Sequence, residues 1–195
     1  MGNVPIYKIM TQRRTIRRFK QKTIPFSFLK KLVDAARLAP SAANLQPLEF
    51  AVVNDKDVCS RIFTHLKWAG YIAPHGIPPI NKRPAAYIVV LVNIHRTVKK
   101  YFAYDVGFAV ENILLLSWQE GIGGCCMQAI NRRAIRRILR IPGHLKVNCV
   151  VSLGYRDEMP RVEVLKDSVK YWKDKYGKLH VPKRSLKSIL HHNFY

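Results

Sequence analysis

Apolar residues recur at helical spacing in the segment that follows the basic N-terminal stretch. Spacings of three and four residues place such positions on one face of a helix. The pattern predicts a helix over residues 25–39, with a proline near its start and another just after its end. The apolar positions are Leu29, Leu32, Val33 and Ala36.

Three short runs of apolar residues have the length and composition of strands. Residues 50–53 (FAVV), 86–93 (AYIVVLVN) and 147–153 (VNCVVSL) are rich in β-branched side chains. The run at 86–93 is almost continuously apolar, which predicts a central strand covered on both faces. Residues 125–127 predict a further short strand.

Residues 105–120 predict a helix that is apolar around almost its whole circumference. Such a helix in a soluble protein must be enclosed, either by its own domain or by a partner subunit. Glu111 interrupts the run and argues against a membrane span. Gly121, Gly123 and Gly124 follow and are predicted to end the helix.

The remaining elements are shorter. We predict a helix over 58–66, a Gly- and Pro-rich mobile loop over 70–84 and a last short helix over 185–191. Asn131 is predicted to cap a helix ending at Arg140, with five arginines on one face. Residues 156–179 are polar and show little periodicity. Strands and helices intermixed without regular βαβ alternation predict an α+β sandwich. The prediction is a single domain over 1–195, with 156–195 as a C-terminal extension that closes the site or the dimer.

The charge of the chain narrows the possible partners. Thirty-four Lys and Arg residues against twelve Asp and Glu give a formal net charge of +22. Such a field attracts polyanions and phosphorylated small molecules. Both a nucleic-acid-binding module and an enzyme with a phosphate-bearing cofactor fit this charge. No zinc finger or RNA-recognition signature occurs in the sequence, so specific nucleic-acid binding is not expected.

Several other classes are disfavoured by missing motifs. The chain contains no P-loop and no G-x-S-x-G elbow, and Cys126 stands where a dinucleotide fingerprint starting at Gly121 needs its third glycine. The four cysteines include no CxxC pair, so no metal site is expected. No apolar run reaches about 18 residues and the start lacks a secretion signal, which predicts a soluble cytoplasmic protein without membrane association.

Two segments present groups that could bind a ligand. Residues 13–19 (RRTIRRF) offer arginine forks, which bind phosphate bidentately, together with a threonine hydroxyl. A solvated basic segment is the ordinary alternative. Residues 39–47 (APSAANLQP) present a hydroxyl and two amides between a helix and a strand. Plain turn chemistry is the alternative for this segment.

Taken together, these segments resemble the nitroreductase family and occur in its order. R-R-[ST]-x-R-x-F corresponds to 13–19, and P-S-x-x-N-x-Q-P corresponds to 40–47. The apolar helix ending in G-[LI]-G and the strand ending in G-Y follow, and the C-terminal segment 181–186 resembles the basic segment that closes the site. Leu48 stands where the family often has a tryptophan, and Gly124-Cys125-Cys126 is also unusual.

The resemblance implies a three-layer α+β sandwich with a mostly antiparallel central sheet, in an intertwined homodimer with FMN at the subunit interface. It implies that Arg13, Arg14, Thr15 and Arg17 hold the phosphate and the polar side of the flavin. It also implies a flavin-lining loop from the other subunit and a strand along the flavin with a backbone N–H near N5. Lys183 and Arg184 would complete the phosphate site. The loop residues are Pro40, Ser41, Ala42, Asn44 and Gln46, and the strand residues are Cys126, Met127, Gln128 and Ala129.

The implied activity is a two-electron transfer from NADH or NADPH to a small organic acceptor such as a nitroaromatic or a quinone. The cofactor carries the redox chemistry, so no dedicated protein acid or base is expected. Arg17 would stabilise negative charge on the reduced flavin. A flavin-fragmenting or reductively dehalogenating enzyme on the same scaffold is the alternative within the family.

Overall fold

The computed structural model describes residues 5–97 and 101–195. Within these ranges the chain forms α-helices and β-strands in mixed order. The helices are α1 (Ile6–Gln12), α2 (Phe26–Arg37), α3 (Lys56–Phe63), α4 (Phe102–Gln119) and α5 (Arg132–Leu139). The strands are β1 (Phe19–Lys20), β2 (Leu48–Val53), β3 (Ala86–Asn93), β4 (Ile122–Met127), β5 (Leu145–Arg156), β6 (Arg161–Val164), β7 (Trp172–Lys173) and β8 (Leu179–Lys183).

The central sheet is antiparallel and is organised around β5. One edge of β5 pairs with β3 and the other with β4, while β2 pairs with β3 and β1 pairs with the end of β5. Residues 86–92 are buried, as expected for a strand covered on both faces. The α+β class with a mostly antiparallel sheet is therefore confirmed.

Helices cover both faces of this sheet because the side chains of a strand alternate between them. Ile88, Val90 and Val92 pack with α2 and α4 on one face. Tyr87, Val89 and Leu91 lie in a second cluster with residues of α3 and α5 on the other face. The two apolar clusters make the sheet the middle of three layers.

A β-bulge interrupts the pairing of β3 with β5. Val90 is opposite Cys149, but its neighbour Leu91 is opposite Val147, so Asn148 is the extra residue. A bulge leaves its extra residue unpaired in the ladder and often re-aims a side chain.

The main predicted helices are confirmed with small changes of boundary. The helix predicted over 25–39 is α2, and the one predicted over 105–120 is α4, which starts three residues earlier. The helix predicted over 58–66 is α3, which starts at Lys56 and ends at Phe63. Its start is set by Asp55, whose carboxylate accepts the Val58 N–H at 2.9 Å.

The prediction that Gly123 and Gly124 end the preceding helix is wrong. Gly121, with φ +74°, follows α4, and the other two glycines lie inside β4. They are needed there because a Cβ on Gly123 would lie 2.6 Å from Ile16 Cβ, and one on Gly124 would lie 2.8 Å from Leu114 Cδ2. In a strand, glycine allows such close approach of another chain segment.

The polar segment after β5 contains a structure that its weak periodicity does not predict. β6 and β8 pair in parallel and β7 pairs antiparallel with β8, which gives a second, three-stranded sheet. The helix predicted over 185–191 is also wrong, since only a single 3-10 turn forms at Leu186–Ser188. Leu186, Ile189 and Leu190 have helical spacing but are all exposed, so a short helix there lacks the packing it would need.

The loop predicted over 70–84 contains no α-helix, only two single 3-10 turns, at Gly70–Ile72 and Ile80–Lys82. Across 5–97 and 101–195 no helix combines the length and apolar character that crossing a membrane requires.

Candidate functional site

The basic N-terminal segment is fixed against β4 and β5 by two apolar side chains. Ile16 and Phe19 are fully buried, in a cluster with Ile9 and Trp118. The Ile16 N–H donates to Gly124 O at 3.0 Å. Between and before these buried residues, Arg13, Arg14, Thr15 and Arg17 are half-buried.

Arg13 and Arg14 differ in how far their guanidinium groups are satisfied. Arg13 Nε donates to Glu111 Oε1 of α4 at 3.0 Å. Arg14 donates to Thr11 O at 2.8 Å, but its Nε is buried and has no hydrogen-bond partner among the described residues. Burial, followed by the charge of Arg13, lowers the pKa of Arg14. A buried cationic donor without a partner is costly and favours binding of an anion.

Arg17 is held by residues of the C-terminal extension. Its backbone N–H donates to Glu158 Oε1 at 2.5 Å, and its guanidinium lies 5.1 Å from the centre of the Tyr171 ring. The guanidinium also lies beside the Cys125 thiol of β4. Burial raises the pKa of Cys125 to about 11, and the charge of Arg17 offsets part of that rise. Arg17 is therefore a fixed cation next to the end of β4.

The outer edge of β4 offers backbone groups next to these arginines. Gly124 O accepts the Ile16 N–H, so residue 124 points its backbone groups away from β5. Backbone direction alternates along an antiparallel strand, so the Cys126 N–H points to the same edge. Cys126, Gln128 and Ala129 are exposed. Met127 instead buries its side chain in the core, so only its backbone could line a ligand.

The loop over residues 40–47 has an unusual backbone. Ala43, Asn44 and Gln46 all have positive φ, between 47° and 53°. Ser41 Oγ accepts the Gln46 N–H at 3.0 Å, and the Ala42 N–H donates to Asp105 Oδ1 at 2.9 Å. Backbone strain of this kind is concentrated at binding sites.

Asp105 is a site residue that sequence reasoning missed. It lies in the first turn of α4 and is 3% exposed. Its carboxylate holds the loop through the Ala42 N–H. The available signal was an acidic residue at the start of an otherwise apolar helix. Glu158 and Tyr171 were also missed, and no local pattern points to either one.

The two predicted halves of the site are attached to different points along α4. The loop is attached at Asp105, whereas Arg13 contacts Glu111, six residues further along α4. That separation is about 9 Å along the helix axis. No hydrogen bond or ion pair within the described ranges joins the loop to Arg13–Arg17.

Lys183 and Arg184 lie at the far end of β8. Both are exposed, and Arg184 donates to Ser188 O within its own turn. Their predicted role in a phosphate site stays a prediction.

One face of α4 is apolar and uncovered. Val106, Val110 and Ile113 face the core, but Tyr104 is 65% exposed and Phe108 is 50% exposed. The neighbouring helix α1 adds Ile6, Tyr7 and Met10, all exposed. The helix is thus only half enclosed by its own domain, and contiguous apolar patches of this kind mark interaction surfaces.

The cysteines differ sharply in expected reactivity. A hydrogen bond with the Cys149 thiol lowers the pKa of Cys126 and raises the pKa of Cys149. Burial raises the pKa of Cys59 to about 12. Only Cys126 is exposed among the four.

We expect iodoacetamide at pH 7.5 to alkylate Cys126 at least about tenfold faster than the other cysteines, because the thiolate is the reacting form. Peptide mapping by mass spectrometry at timed intervals measures this. A Cys126→Ser variant should lose the fast phase alone. Equal labelling of Cys59 and Cys126 would contradict the assignment.

Comparison with known proteins gives a consistent result. The nitroreductase family model matches residues 10–75 and 79–155. A protein of Archaeoglobus fulgidus named for NADH dehydrogenase/NAD(P)H nitroreductase activity is 34% identical over 158 residues, covering 77% of this chain and 86% of its own. An iodotyrosine deiodinase of Haliscomenobacter hydrossis is 39% identical over 176 residues, covering 78% of this chain and 79% of its own.

A solved structure matches the fold over nearly the full length. The FMN-dependent nitroreductase of Clostridium difficile R20291 has 25% identity and a TM-score of 0.68, and the match covers 96% of this chain and 98% of that one. The family match includes the basic N-terminal segment over 13–19, here called the arginine segment, and the strained loop over 40–47. It also includes α4, β4 and nearly all of β5. The chain belongs to the nitroreductase family.

Proposed function

We propose that this protein is an FMN-dependent oxidoreductase that transfers two electrons from NADH or NADPH to a small organic acceptor. The observation that carries the proposal is the arginine segment beside β4. Ile16 of this segment is bonded to Gly124 on the outer edge of β4, and the segment carries the unsatisfied Arg14 Nε and the fixed Arg17 cation. Relatives named for nitroreductase activity and for FMN support it.

The residues of this site fit the chemistry of FMN. Arg13, Arg14 and Thr15 offer bidentate and hydroxyl donors for its phosphate. The Cys126 N–H is a donor on the outer edge of β4, suited to a ring nitrogen. The loop over 40–47 would come from the partner subunit, and Lys183 and Arg184 would complete the phosphate site. When bound, FMN would supply the redox chemistry, a two-electron transfer between the nicotinamide and the acceptor.

The chain itself contributes binding, orientation and charge. Arg17 is positioned before any ligand arrives, because Glu158 holds its backbone and Tyr171 lies against its guanidinium. A cation held in this way stabilises negative charge near it without reorganising. No residue is needed here as a proton donor or acceptor for the chemical step.

The proposal is tested by the absorption spectrum of the purified protein. We expect flavin bands near stoichiometry with the chain, and their bleaching when NADPH is added anaerobically. A nitroaromatic or quinone acceptor should then restore them. Colourless protein with no affinity for added FMN would refute the cofactor assignment.

We further propose a homodimer, formed through the uncovered face of α4 and α1. A second copy would cover Tyr104 and Phe108 and bring its loop over 40–47 to the arginine segment.

A Phe108→Asp variant is expected to sediment as a monomer at micromolar concentration and to lose most of its bound FMN, because a charge would be buried in the interface. Light scattering coupled to size-exclusion chromatography measures the mass. Tyr176→Asp, at a more exposed aromatic residue of the C-terminal extension, is the control and should stay dimeric. A monomeric unmodified protein would contradict the dimer.

Reductive dehalogenation is a second candidate, favoured by the 39% identity to an iodotyrosine deiodinase. Both activities need the same cofactor. They are separated by mixing the reduced protein anaerobically with 3-iodotyrosine and with a nitroaromatic, and by following flavin reoxidation. Iodide release together with slow reduction by NADPH would favour dehalogenation.

A further inference from the structure

A cavity of about 560 Å³ lies where the N-terminal half of α5 meets the start of β5, the end of β3 and the start of α4. Its volume is in the range of small-molecule sites. Val92, Phe102 and Val147 form an apolar part of the wall. The cavity therefore has room for a planar ring system.

The polar part of the wall is cationic. Arg132, Arg133, Arg136 and Lys146 all line the cavity, and no Asp or Glu is among its lining residues. Four positive charges around one concavity raise the local potential and concentrate anions. The predicted arginine face of α5 is thus one wall of a cavity and is more than a solvated surface.

Two of these four side chains donate hydrogen bonds to backbone carbonyls, and the other two are exposed. Arg136 donates to the carbonyls of Ile141, Pro142 and Leu145, at 3.1, 2.5 and 3.0 Å. Arg132 donates to Asn148 O at 3.0 Å. Arg133 and Lys146 are exposed and form no ion pair with described residues. They are available to a ligand.

The bulge at Asn148 adds a directional polar group. Asn148 lines the cavity, and its Oδ1 is buried without a hydrogen-bond partner in 5–97 or 101–195. A buried acceptor without a donor is unfavourable and favours a ligand that carries an N–H group. A phosphorylated ligand with an aminated heteroaromatic ring fits all three features. Its ring would pack on the apolar wall, its amino group would donate to Asn148, and its phosphate would bind the cations.

The cavity shares its lining residue Arg132 with a second cavity, which lies beside the end of β4. This second cavity has a volume of about 430 Å³ and is also lined by Gln128 and Ala129 at the end of β4 and by Lys67. A ligand extending from one cavity to the other would pass from the strand edge to the arginine wall.

We propose that the arginine cavity binds the phosphorylated adenosine end of the nicotinamide dinucleotide and favours NADPH over NADH. This inference rests on the proposed function, since it names the donor of the same site. Arg133 and Lys146 bind the phosphates and Asn148 accepts from the amino group of the ring.

The test uses an Arg133→Gln/Lys146→Gln double variant, with Arg137→Gln as control. Arg137 lies on the same helix but lines neither of the two cavities. The rate of anaerobic flavin reduction is measured with NADPH, with NADH and with reduced nicotinamide mononucleotide, which lacks the adenosine phosphate. Calorimetry with adenosine 2′,5′-bisphosphate measures binding independently of turnover.

We expect the double variant to lose at least about tenfold in efficiency with NADPH and in affinity for the bisphosphate, as charge-assisted contacts imply. The mononucleotide rate, the flavin content and all values for Arg137→Gln should stay unchanged. Equal losses with NADPH and the mononucleotide, or no loss with either, would overturn the inference. The inference would also be overturned if the double variant lost affinity for single-stranded oligonucleotides but kept its efficiency with NADPH.

Failure of the proposed function has a different signature. In that case the unmodified protein would hold no flavin, or none of the three nicotinamides would reduce it. If the flavin of the unmodified protein is reduced normally and the double variant is reduced at the same rate with every donor, the further inference fails but the proposed function stands.

Discussion

An Arg13→Ala/Arg17→Ala double variant is expected to bind FMN at least about a hundredfold more weakly than the unmodified protein. Each charge-assisted hydrogen bond to a ligand contributes about 1.5–3 kcal/mol, so losing two costs about 3 kcal/mol or more. The fold itself should survive. Arg13 loses only its bond to the half-exposed Glu111, and exposed ion pairs contribute little.

The affinity is measured by titrating flavin-free protein with FMN and following the quenching of flavin fluorescence. Arg37→Ala/Arg61→Ala removes the same charge from exposed positions of α2 and α3 and serves as the control. If the control loses as much affinity, the net field of the chain and not the arginine segment holds the cofactor. Unchanged flavin stoichiometry after dialysis of the first variant would refute the assignment.

A Gly154→Val variant is expected to lower the free energy of unfolding by about 3 kcal/mol, the upper end of what overpacking usually costs. A Cβ on Gly154 would lie 2.7 Å from both Cβ and Cδ1 of Phe19. Phe19 is fully buried and fixes the arginine segment against the sheet. The variant should therefore lose flavin together with stability.

Urea unfolding followed by circular dichroism measures the change. Gly143→Val is the matched control, because a Cβ at Gly143 would meet no heavy atom within 4 Å. Equal urea midpoints for the two variants would mean that Phe19 can move aside at little cost. The close packing of Phe19 on Gly154 would then contribute little to stability.

The elements that could be predicted from the sequence are those whose pattern is local. The run at 86–93 and the periodic segment at 25–39 each contain enough apolar residues to define a strand and a helix. Gly123 and Gly124 were misassigned because glycine after a helix usually ends it, whereas here the cause is the distant Ile16 side chain. The C-terminal sheet was missed because two of its three strands have no buried residues.

The candidate site divides in the same way. The arginine segment and the loop over 40–47 were found because several binding groups stand close together in the sequence. Asp105 and Glu158 were not found, because each acts on a segment more than 60 residues away. A single carboxylate carries no local sign of such a contact. The arginine cavity likewise depends on Lys146 and Asn148 coming beside α5 in three dimensions.

The spacing of Asp105 and Glu111 along α4 has a mechanical consequence. One rigid helix is bonded both to the strained loop and to the arginine segment. In the proposed two-fold dimer, the loop of one chain and its arginine segment would belong to different flavin sites. Each α4 would therefore form a rigid link between the two sites. Any displacement of that helix at one site would therefore also reach its contact at the other site.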